Sequence, residues 1–290
     1  MAVTPPPVVL GRPGGWSDEV VVPVTAEQAA AYARATNERD PRFLAGTLAP
    51  PMFATVPVRP AVLAAFAQAM PEGLPSSVPR LAGEQDMFFH ATLVRGTSVR
   101  CRGRFLGISP RSTGTTLTFH LQTRGVSEEG INDQYMTTFL PGVAWPQEVG
   151  ERPPVRGLPT EGGPALPVRR IVQRFDEDQT FRYAQASGDQ SRWHLDREYA
   201  RVAGLPDIII HGLCTLAFVG RAIAESVAAG DATRLRRLAV RFSRPIFPGS
   251  EITTELSDPG DGPGRRRYAF EAKRPDGQRV LTNGLAEVDG

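Results

Sequence analysis

The chain has 290 residues, 41% of them hydrophobic and 22% charged, a balance that fits one large folded core or two moderate ones and excludes a disordered or fibrous chain. Basic residues number 33 and acidic residues 31, so the net charge of +2 provides no basic field for nucleic acid. No apolar stretch reaches the roughly 18 residues that cross a bilayer, and no basic segment followed by an apolar run opens the sequence. We therefore expect a cytoplasmic protein without nucleic-acid or membrane partners.

The first part of the chain predicts an arm and two helices with a break between them. Residues 1–20 are rich in proline and glycine and show no period, which indicates an irregular arm. Thr25 and Gln28 have the spacing of a capping box, so we expect a helix from about Ala26 to Asn37. Four prolines between positions 50 and 60 would interrupt any helix before residues 61–70, which can be helical again.

Beyond the second helix the pattern changes to strands. The segments are rich in β-branched and aromatic residues, have strand length and are separated by glycines, which predicts an antiparallel sheet. They are Phe88–Val94, Ser98–Leu106, Thr115–Thr123 and Gln134–Leu140. Residues 146–167 then have the proline and glycine content of a linker between two compact units.

After this linker the order of the predicted elements repeats. The run that begins at Tyr183 is similar to the run that begins at Tyr32, an offset of 151, and Phe242–Gly249 is similar to Phe89–Gly96, an offset of 153. Similar order at a near-constant offset predicts two copies of one fold.

The second copy has the stronger helix signal. Residues 176–179 can cap a first helix, as the earlier capping box does. Apolar residues then keep one face from Leu213 to Val227, and Gly230 ends this second helix. Cys214 falls inside it and Cys101 lies in the other half, so no disulfide framework is expected. Four more strands are predicted near 237–247, 250–257, 266–274 and 278–288.

The candidate site lies between these two helices. Ser187 and Gly188 form a helix stop, and Asp189 and His194 follow on a segment too irregular for a helix. Imidazole titrates near neutrality and a nearby carboxylate could share a proton transfer, so the pair could activate one water. Equally, Asp189 could cap a turn while His194 is an ordinary polar surface residue.

Gly212 and the other histidines also have more than one interpretation. A glycine at the start of a buried helix can permit close packing, or it can leave a bare N–H at the positive helix end, suited to a developing oxyanion. We expect His211 to form hydrogen bonds at the helix start rather than act as a base. His90 and His120 lie in predicted strands and are expected to be structural. Four scattered histidines and two cysteines predict no metal site.

The first copy differs at the corresponding place. It has Asn37–Phe43 where the second copy has Gly188–His194, so it lacks the histidine and cannot carry the same couple. Neither a dinucleotide-binding loop nor the elbow of a serine hydrolase occurs in the sequence. One site, in the second copy, is therefore expected.

This stretch resembles the MaoC-like, hydratase 2 group of (R)-specific enoyl-CoA hydratases. Their pattern, Tyr-Ala-x-x-Ser-Gly-Asp-x-Asn-Pro-(Leu/Ile)-His-x-Asp, is largely matched from Tyr183 to Asp196, and their later His-Gly is matched by His211 and Gly212. The resemblance implies an α+β hot-dog fold, in which an antiparallel sheet wraps around a central helix. The repeat resembles members with two hot-dog domains in one chain.

The resemblance also implies roles for individual residues. Asp189 and His194 would activate the water that adds to C3 of a trans-2-enoyl thioester, and the Gly212 N–H would hold the thioester oxygen. No metal or other cofactor is needed. CoA or an acyl carrier protein would present the acyl group, and Arg241 and Arg244 are candidate contacts for its phosphates.

The family's Asn-Pro-(Leu/Ile) is replaced here by Ser191, Arg192 and Trp193. Serine offers one short hydroxyl in place of a carboxamide that helps to hold water or substrate, so its reach and its number of hydrogen bonds are smaller. Trp193 would narrow the region beside the couple. We therefore predict that Ser191 and Trp193 contact the substrate, with weaker activity or an unusual acyl group as a consequence.

These inferences give one overall prediction. Residues 1–145 form a non-catalytic hot-dog domain that binds the acyl chain, with room left by the break at positions 50–60. Residues 146–167 form a linker, and residues 168–290 form the catalytic domain. The chain would reversibly hydrate trans-2-enoyl thioesters to (R)-3-hydroxyacyl thioesters.

Other functions stay open at this point. A silent acyl-thioester-binding or assembly subunit and a pathway-specific dehydratase acting on a modified acyl group are the alternatives. A thioesterase fits the spacing of Asp189 and His194 less well. The sequence also leaves a homodimer open.

Overall fold

A single antiparallel sheet of eleven strands organises the residues that the structure describes. The computed structural model describes residues 8–74, 78–157, 169–262 and 264–290. The strands are β1 (Val20–Val24), β2 (Leu81–Phe89), β3 (Thr97–Arg111), β4 (Gly114–Gly125), β5 (Gly130–Pro141), β6 (Val149–Gly150), β7 (Arg169–Arg174), β8 (Leu235–Phe242), β9 (Glu251–Gly262), β10 (Arg265–Lys273) and β11 (Arg279–Asp289). The α-helices are α1 (Ala26–Ala35), α2 (Pro41–Leu44), α3 (Arg59–Ala69), α4 (Gln179–Ser187), α5 (Arg197–Val202) and α6 (Gly212–Val227). None of the described helices is long and apolar enough to cross a membrane.

The strand order shows the internal duplication directly. From one edge the order is β1-β3-β4-β5-β2, and from the other edge it is β7-β9-β10-β11-β8, so each of these five strands of the first half has a counterpart in the second. The short strand β6 pairs only with β3. Helix α3 packs on β3 and β4, and α6 packs on β7, β8 and β9. The predicted α+β architecture of two hot-dog domains is confirmed.

The two halves meet where β2 pairs with β8. Asp86 and Arg237 form a two-pronged ion pair across this junction, with Oδ1–Nε at 2.9 Å and Oδ2–Nη2 at 2.7 Å. Both residues are buried, at 3% and 6% exposure. The prediction of a strand at Phe88–Val94 was wrong over most of its length, because β2 lies earlier in the chain. The polar residues of β2 resemble a loop in the sequence, although they pair in the middle of this sheet.

Other element boundaries also differ from the sequence-based prediction. The strand predicted at 237–247 ends at Phe242, before Pro245 and Pro248, which have no N–H to donate to a ladder. Helix α1 ends at Ala35 because the chain turns at Asn37, whose φ of 54° is left-handed. The edge strands β1 and β7, which are short and largely exposed, were not predicted.

The two predicted helix starts had different outcomes. The capping box of Thr25 and Gln28 is confirmed, with both reciprocal hydrogen bonds present. The cap predicted for residues 176–179 is confirmed in one half only: Asp176 N donates to Gln179 Oε1 at 3.3 Å, but the N-cap residue Asp178 makes no side-chain cap bond. The same Gln179 side chain also reaches the first half, where its Nε2 donates to Ala35 O at 2.5 Å. Gln179 thus makes a local contact and a tertiary contact at once.

The break between the first-half helices contains a 3-10 helix, Pro51–Thr55. Its residues Met52, Phe53 and Ala54 are buried, so packed side chains occupy much of the interruption. Helix α3 has 11 residues against 16 in α6, as expected for a shortened central helix. The two unpaired cysteines, Cys101 and Cys214, are buried in separate halves.

Candidate active site

Asp189 directly follows a helix that ends at a glycine. Helix α4 stops at Ser187, and Gly188 follows with a φ of +76° and donates its N–H to Ala184 O, as the predicted helix stop requires. Asp189 Oδ1 then accepts hydrogen bonds from Ser191 Oγ at 2.6 Å and from Ser191 N at 3.2 Å. Both bonds go to Oδ1, so within the described residues Oδ2 stays available.

His194 lies at the end of a short 3-10 helix, Arg192–His194, and is 7% exposed. Its Nδ1 is 2.7 Å from the carbonyl oxygen of Ile209. Because a carbonyl oxygen can only accept, Nδ1 carries the hydrogen and Nε2 is the acceptor nitrogen of the neutral ring. Trp193 Nε1 donates to this Nε2 at 2.9 Å.

His211 connects these two residues. Its ring stacks on that of His194 with centroids 3.7 Å apart. Its Nε2 donates to Asp189 O at 3.0 Å, and its Nδ1 lies 3.2 Å from Thr180 Oγ1. The expectation that His211 forms hydrogen bonds at the helix start is confirmed, and those bonds hold the backbone of Asp189 in place.

The protonation states follow from this packing. Burial raises the pKa of Asp189, but the hydrogen bond from Ser191 and the neighbouring imidazoles outweigh it, so the net pKa is below the ordinary value. Burial lowers the pKa of His194 and lowers that of His211 to about 3. At neutral pH the site therefore holds an ionised carboxylate beside two neutral imidazoles. This is a combination suited to accepting protons.

The same three residues are the described group that comes nearest to a metal site. Ligand atoms of Asp189, His194 and His211 lie within 4.8 Å of one another. Every imidazole nitrogen of the two histidines, however, already has a hydrogen-bond partner in the protein. The arrangement favours proton transfer over metal ligation, and the absence of a metal stays a prediction.

Gly212 is the first residue of α6. The N–H groups of a first helical turn have no partner inside the helix, so this one can point at a developing negative charge. A Cβ at this position would lie 3.1 Å from the ring of Phe242. The close packing is therefore observed, and the role of the N–H towards a developing oxyanion stays a prediction.

Ser191 contacts Asp189 directly. Its hydroxyl stabilises the charged form of the carboxylate, so Ser191→Ala is expected to raise the pKa of Asp189. Titration of the side-chain carboxyl carbon by NMR, assigned with Asp189→Asn, measures this shift. A pKa that is unchanged or lower in Ser191→Ala would contradict the assignment of this hydrogen bond.

The two arginines proposed as phosphate contacts lie outside the cluster. Arg241 is exposed on β8 and neighbours Phe242, whose ring packs on Gly212, so alternation along the strand directs Arg241 to the opposite face. Arg244 is exposed beyond the end of β8. It precedes Ile246, whose carbonyl oxygen accepts from Ile210 N at 2.8 Å close to the helix start.

The first half has different residues at the positions that correspond to Asp189 and His194. At the offset of 151 residues, Glu38 corresponds to Asp189 and Phe43 to His194, and Phe43 is fully buried. The rings of Tyr32 and Tyr183 meet between the halves, with centroids 5.7 Å apart. Without an imidazole, the first-half position cannot repeat the couple.

Burial raises the pKa of Glu38 to about 7, although Arg221 opposes the shift. The folded state therefore holds a proton between the ordinary value of 4.5 and about 7 that the unfolded chain has lost, so stability falls as pH rises through this window. Glu38→Gln is expected to stabilise the protein by up to about 3 kcal/mol at pH 8 and by little at pH 4. Urea unfolding at both pH values measures it, with exposed Glu72→Gln as control. An equal effect at both pH values would contradict a raised pKa at Glu38.

His90 and His120 share one carboxylate in the first half. Their Nε2 atoms lie 2.9 Å and 2.8 Å from the two oxygens of Asp133. His120 is on β4, but His90 falls just past the end of β2 rather than in a strand, which corrects its predicted position. His120 also stacks on Tyr135, with ring centroids 4.2 Å apart, and the structural role expected for both histidines stays a prediction.

Sequence reasoning missed two supporting groups, the Ile209 carbonyl and the Thr180 hydroxyl. Ile209 O fixes the tautomer of His194, and Thr180 Oγ1 lies within hydrogen-bond distance of His194 O, Ile209 O and His211 Nδ1. A backbone carbonyl has no sequence signal. The apolar run 208–210 directly before His211 was the available indication that this segment is buried.

Comparison with known structures first establishes the class of protein. A solved MaoC-like dehydratase from Phytophthora capsici has a TM-score of 0.76 to this chain, covers 94% of it and 95% of its own length, and is 22% identical. At that identity the likeness concerns the fold alone. The fold class is therefore that of the MaoC-like dehydratases.

Sequence comparison then establishes the family. The MaoC-like domain family matches residues 158–275. The 3-hydroxyacyl-thioester dehydratase Y of Mycobacterium tuberculosis is 30% identical over 231 residues, which are 77% of this chain and 77% of that protein. The peroxisomal enoyl-CoA hydratase 2 of Arabidopsis thaliana is 28% identical over 220 residues, 72% of this chain and 68% of that protein. The chain belongs to the MaoC-like dehydratase family.

Proposed function

We propose that this chain catalyses the reversible hydration of trans-2-enoyl thioesters to (R)-3-hydroxyacyl thioesters. The observation that carries the proposal is the cluster of Asp189 and His194, whose side-chain atoms lie within 4.8 Å, together with the helix start at Gly212. A lowered pKa at both residues favours an ionised carboxylate and a neutral imidazole at neutral pH. Membership of a family whose relatives are named hydratases and dehydratases supports a hydro-lyase.

Each of the three groups has its own role in the proposed reaction. His194 Nε2 accepts one proton of a water whose other hydrogen is held by the Asp189 carboxylate, and the water oxygen forms a bond to C3. Electrons of the C2–C3 double bond move to the thioester oxygen, where the Gly212 N–H stabilises the enolate. The proton that His194 accepted is then transferred to C2, so one water is added in total. The reverse sequence is the dehydration.

The substrate carrier and the first domain are part of the same proposal. CoA or an acyl carrier protein presents the acyl group, and residues 1–145 bind its chain. The support for this placement is that the first-half helix α3 is shorter than α6, with 11 residues against 16. The cytoplasmic location stays a prediction, since the Arabidopsis relative is named peroxisomal. A homodimer is left open.

One observation favours a second candidate, a silent acyl-thioester-binding subunit. Both nitrogens of His194 are engaged, one by Ile209 and one by Trp193. If that state persisted with substrate bound, the imidazole could accept no proton from water. A dehydratase for a modified acyl group is the third candidate, because Trp193 changes the shape beside the couple.

One assay separates these candidates. Purified protein with crotonyl-CoA and longer enoyl-CoA esters is expected to lose the absorbance of the conjugated enoyl thioester, and the product is expected to be the (R)-3-hydroxyacyl ester. Binding without turnover at every chain length would favour the silent subunit. Release of free thiol would identify a thioesterase instead.

A further inference from the structure

Trp193 makes an unusual contact for a residue beside a base. In the neutral ring of His194 the hydrogen lies on Nδ1, so Nε2 has the only lone pair. An indole nitrogen is a donor and never an acceptor, so the 2.9 Å contact is a hydrogen bond from Trp193 Nε1–H to that lone pair. A water cannot donate to Nε2 at the same time. The acceptor nitrogen of His194 is thus occupied by the protein itself.

The side chain of Trp193 can leave while its backbone stays. Its carbonyl oxygen accepts from Ile209 N at 3.2 Å, which fixes the main chain beside the site. The ring is only partly buried and lies between His194, at 6.1 Å and nearly perpendicular, and Tyr199, at 6.4 Å. Rotation of the side chain alone therefore frees Nε2, with no unfolding of the 3-10 helix.

We propose that the Trp193 indole is a gate on the catalytic base, bonded to His194 Nε2 in the substrate-free protein and displaced when an acyl thioester binds. This inference rests on the proposed function and deepens it. The gate keeps bulk water from the base until the acyl group occupies the site. It also makes the size of the acyl group near the thioester a determinant of specificity, because the displaced ring must still fit beside the substrate.

Removal of the N–H tests the gate without removing the ring. Trp193→Phe keeps an aromatic side chain, and Trp193→Leu serves as a second variant without a donor. A donor on Nε2 stabilises the neutral imidazole, so both variants are expected to raise the pKa of His194, with Asp189 and His211 still beside it. Both variants are also expected to bind butyryl-CoA, a saturated and unreactive ester, roughly three- to tenfold more tightly. In the unaltered protein, binding must break the hydrogen bond from Trp193 to His194, and the variants do not have this bond to break.

NMR on the full chain gives a readout that a merely structural role would not change. The protein has three tryptophans, and the indole signal lost in Trp193→Phe identifies residue 193, with Trp145→Phe as the matched control. We expect this signal to be hydrogen-bonded in the free protein and to lose that bond when butyryl-CoA saturates the site. An indole signal unchanged by saturation, or Phe and Leu variants with unaltered His194 pKa and butyryl-CoA affinity, would overturn the gate.

These measurements need no turnover, so they separate the gate from the reaction. Hydration of crotonyl-CoA by Trp193→Phe but not by the unaltered chain would show that the acyl thioester does not displace the indole, and would overturn the gate. Binding of butyryl-CoA without hydration by either protein would overturn the proposed reaction, and the indole signal would still decide the gate.

Discussion

Asp189→Asn and His194→Ala are each expected to slow hydration of an enoyl-CoA ester by roughly 10²- to 10⁴-fold, the usual contribution of a positioned acid or base. Asparagine keeps the size of the side chain but removes the charge that holds the water. Alanine removes Nε2, the nitrogen that accepts the proton of the water in the proposed step. Initial rates at saturating crotonyl-CoA measure the loss, and binding of butyryl-CoA shows whether the site is still formed.

The two variants together and a matched histidine provide the controls. If both groups act on one water, the double variant is expected to lose little more than the worse single variant. His90→Ala removes a histidine that also contacts a carboxylate, Asp133, but lies in the other half, and it is expected to retain full activity. Full activity in Asp189→Asn would contradict the proposed couple.

Arg237→Ala is expected to lower the free energy of unfolding by about 3–5 kcal/mol, because it leaves Asp86 charged and buried without its partner. The loss is concentrated at the junction of β2 and β8, the one strand pair that joins the halves of the described sheet. The guanidinium also packs 4.5 Å from the ring centroid of Phe88, so some contact area is lost as well. Urea unfolding followed by circular dichroism measures the change.

Two further variants show whether the buried charge is the cause. Replacement of both partners, Asp86→Leu with Arg237→Met, is expected to recover most of the stability, because no unpaired charge remains. Arg124→Ala breaks the more exposed pair with Glu128, at 3.3 Å, and is expected to cost less than about 1 kcal/mol. An Arg237→Ala effect no larger than the Arg124→Ala effect would show that the junction does not depend on this pair.

The accuracy of the sequence-based predictions depended on how local each signal was. The capping box at Thr25 and the apolar face of α6 are patterns within a few residues, and both were predicted. Strand β2 was missed over most of its length because its polar residues Gln85 and Asp86 resemble a loop. They tolerate burial only because Gln134 and Arg237, about 50 and 151 residues away, bond to them.

The candidate site was predicted in its members but not in its connections. Asp189, His194 and Gly212 were named from the motif, and the structure brings the first two within one cluster beside the helix that the third begins. Trp193 was expected to narrow the site, and its hydrogen bond to His194 was not foreseen. Indole orientation depends on side-chain rotation, which neighbours such as Tyr199 restrict and spacing does not encode.

By itself, the sequence determined the duplication, the central helix of the second half and the acid–imidazole pair, because each is expressed in short-range periodicity, capping or a contiguous motif. Only the tertiary structure decided which nitrogen of His194 accepts a proton, since the deciding carbonyl belongs to Ile209, 15 residues away. It also decided that Asp189 is ionised and His194 neutral, because burial and partners set those states. Hydrogen bonds between distant segments exist only once the sheet has closed around its helices, so no local pattern records them.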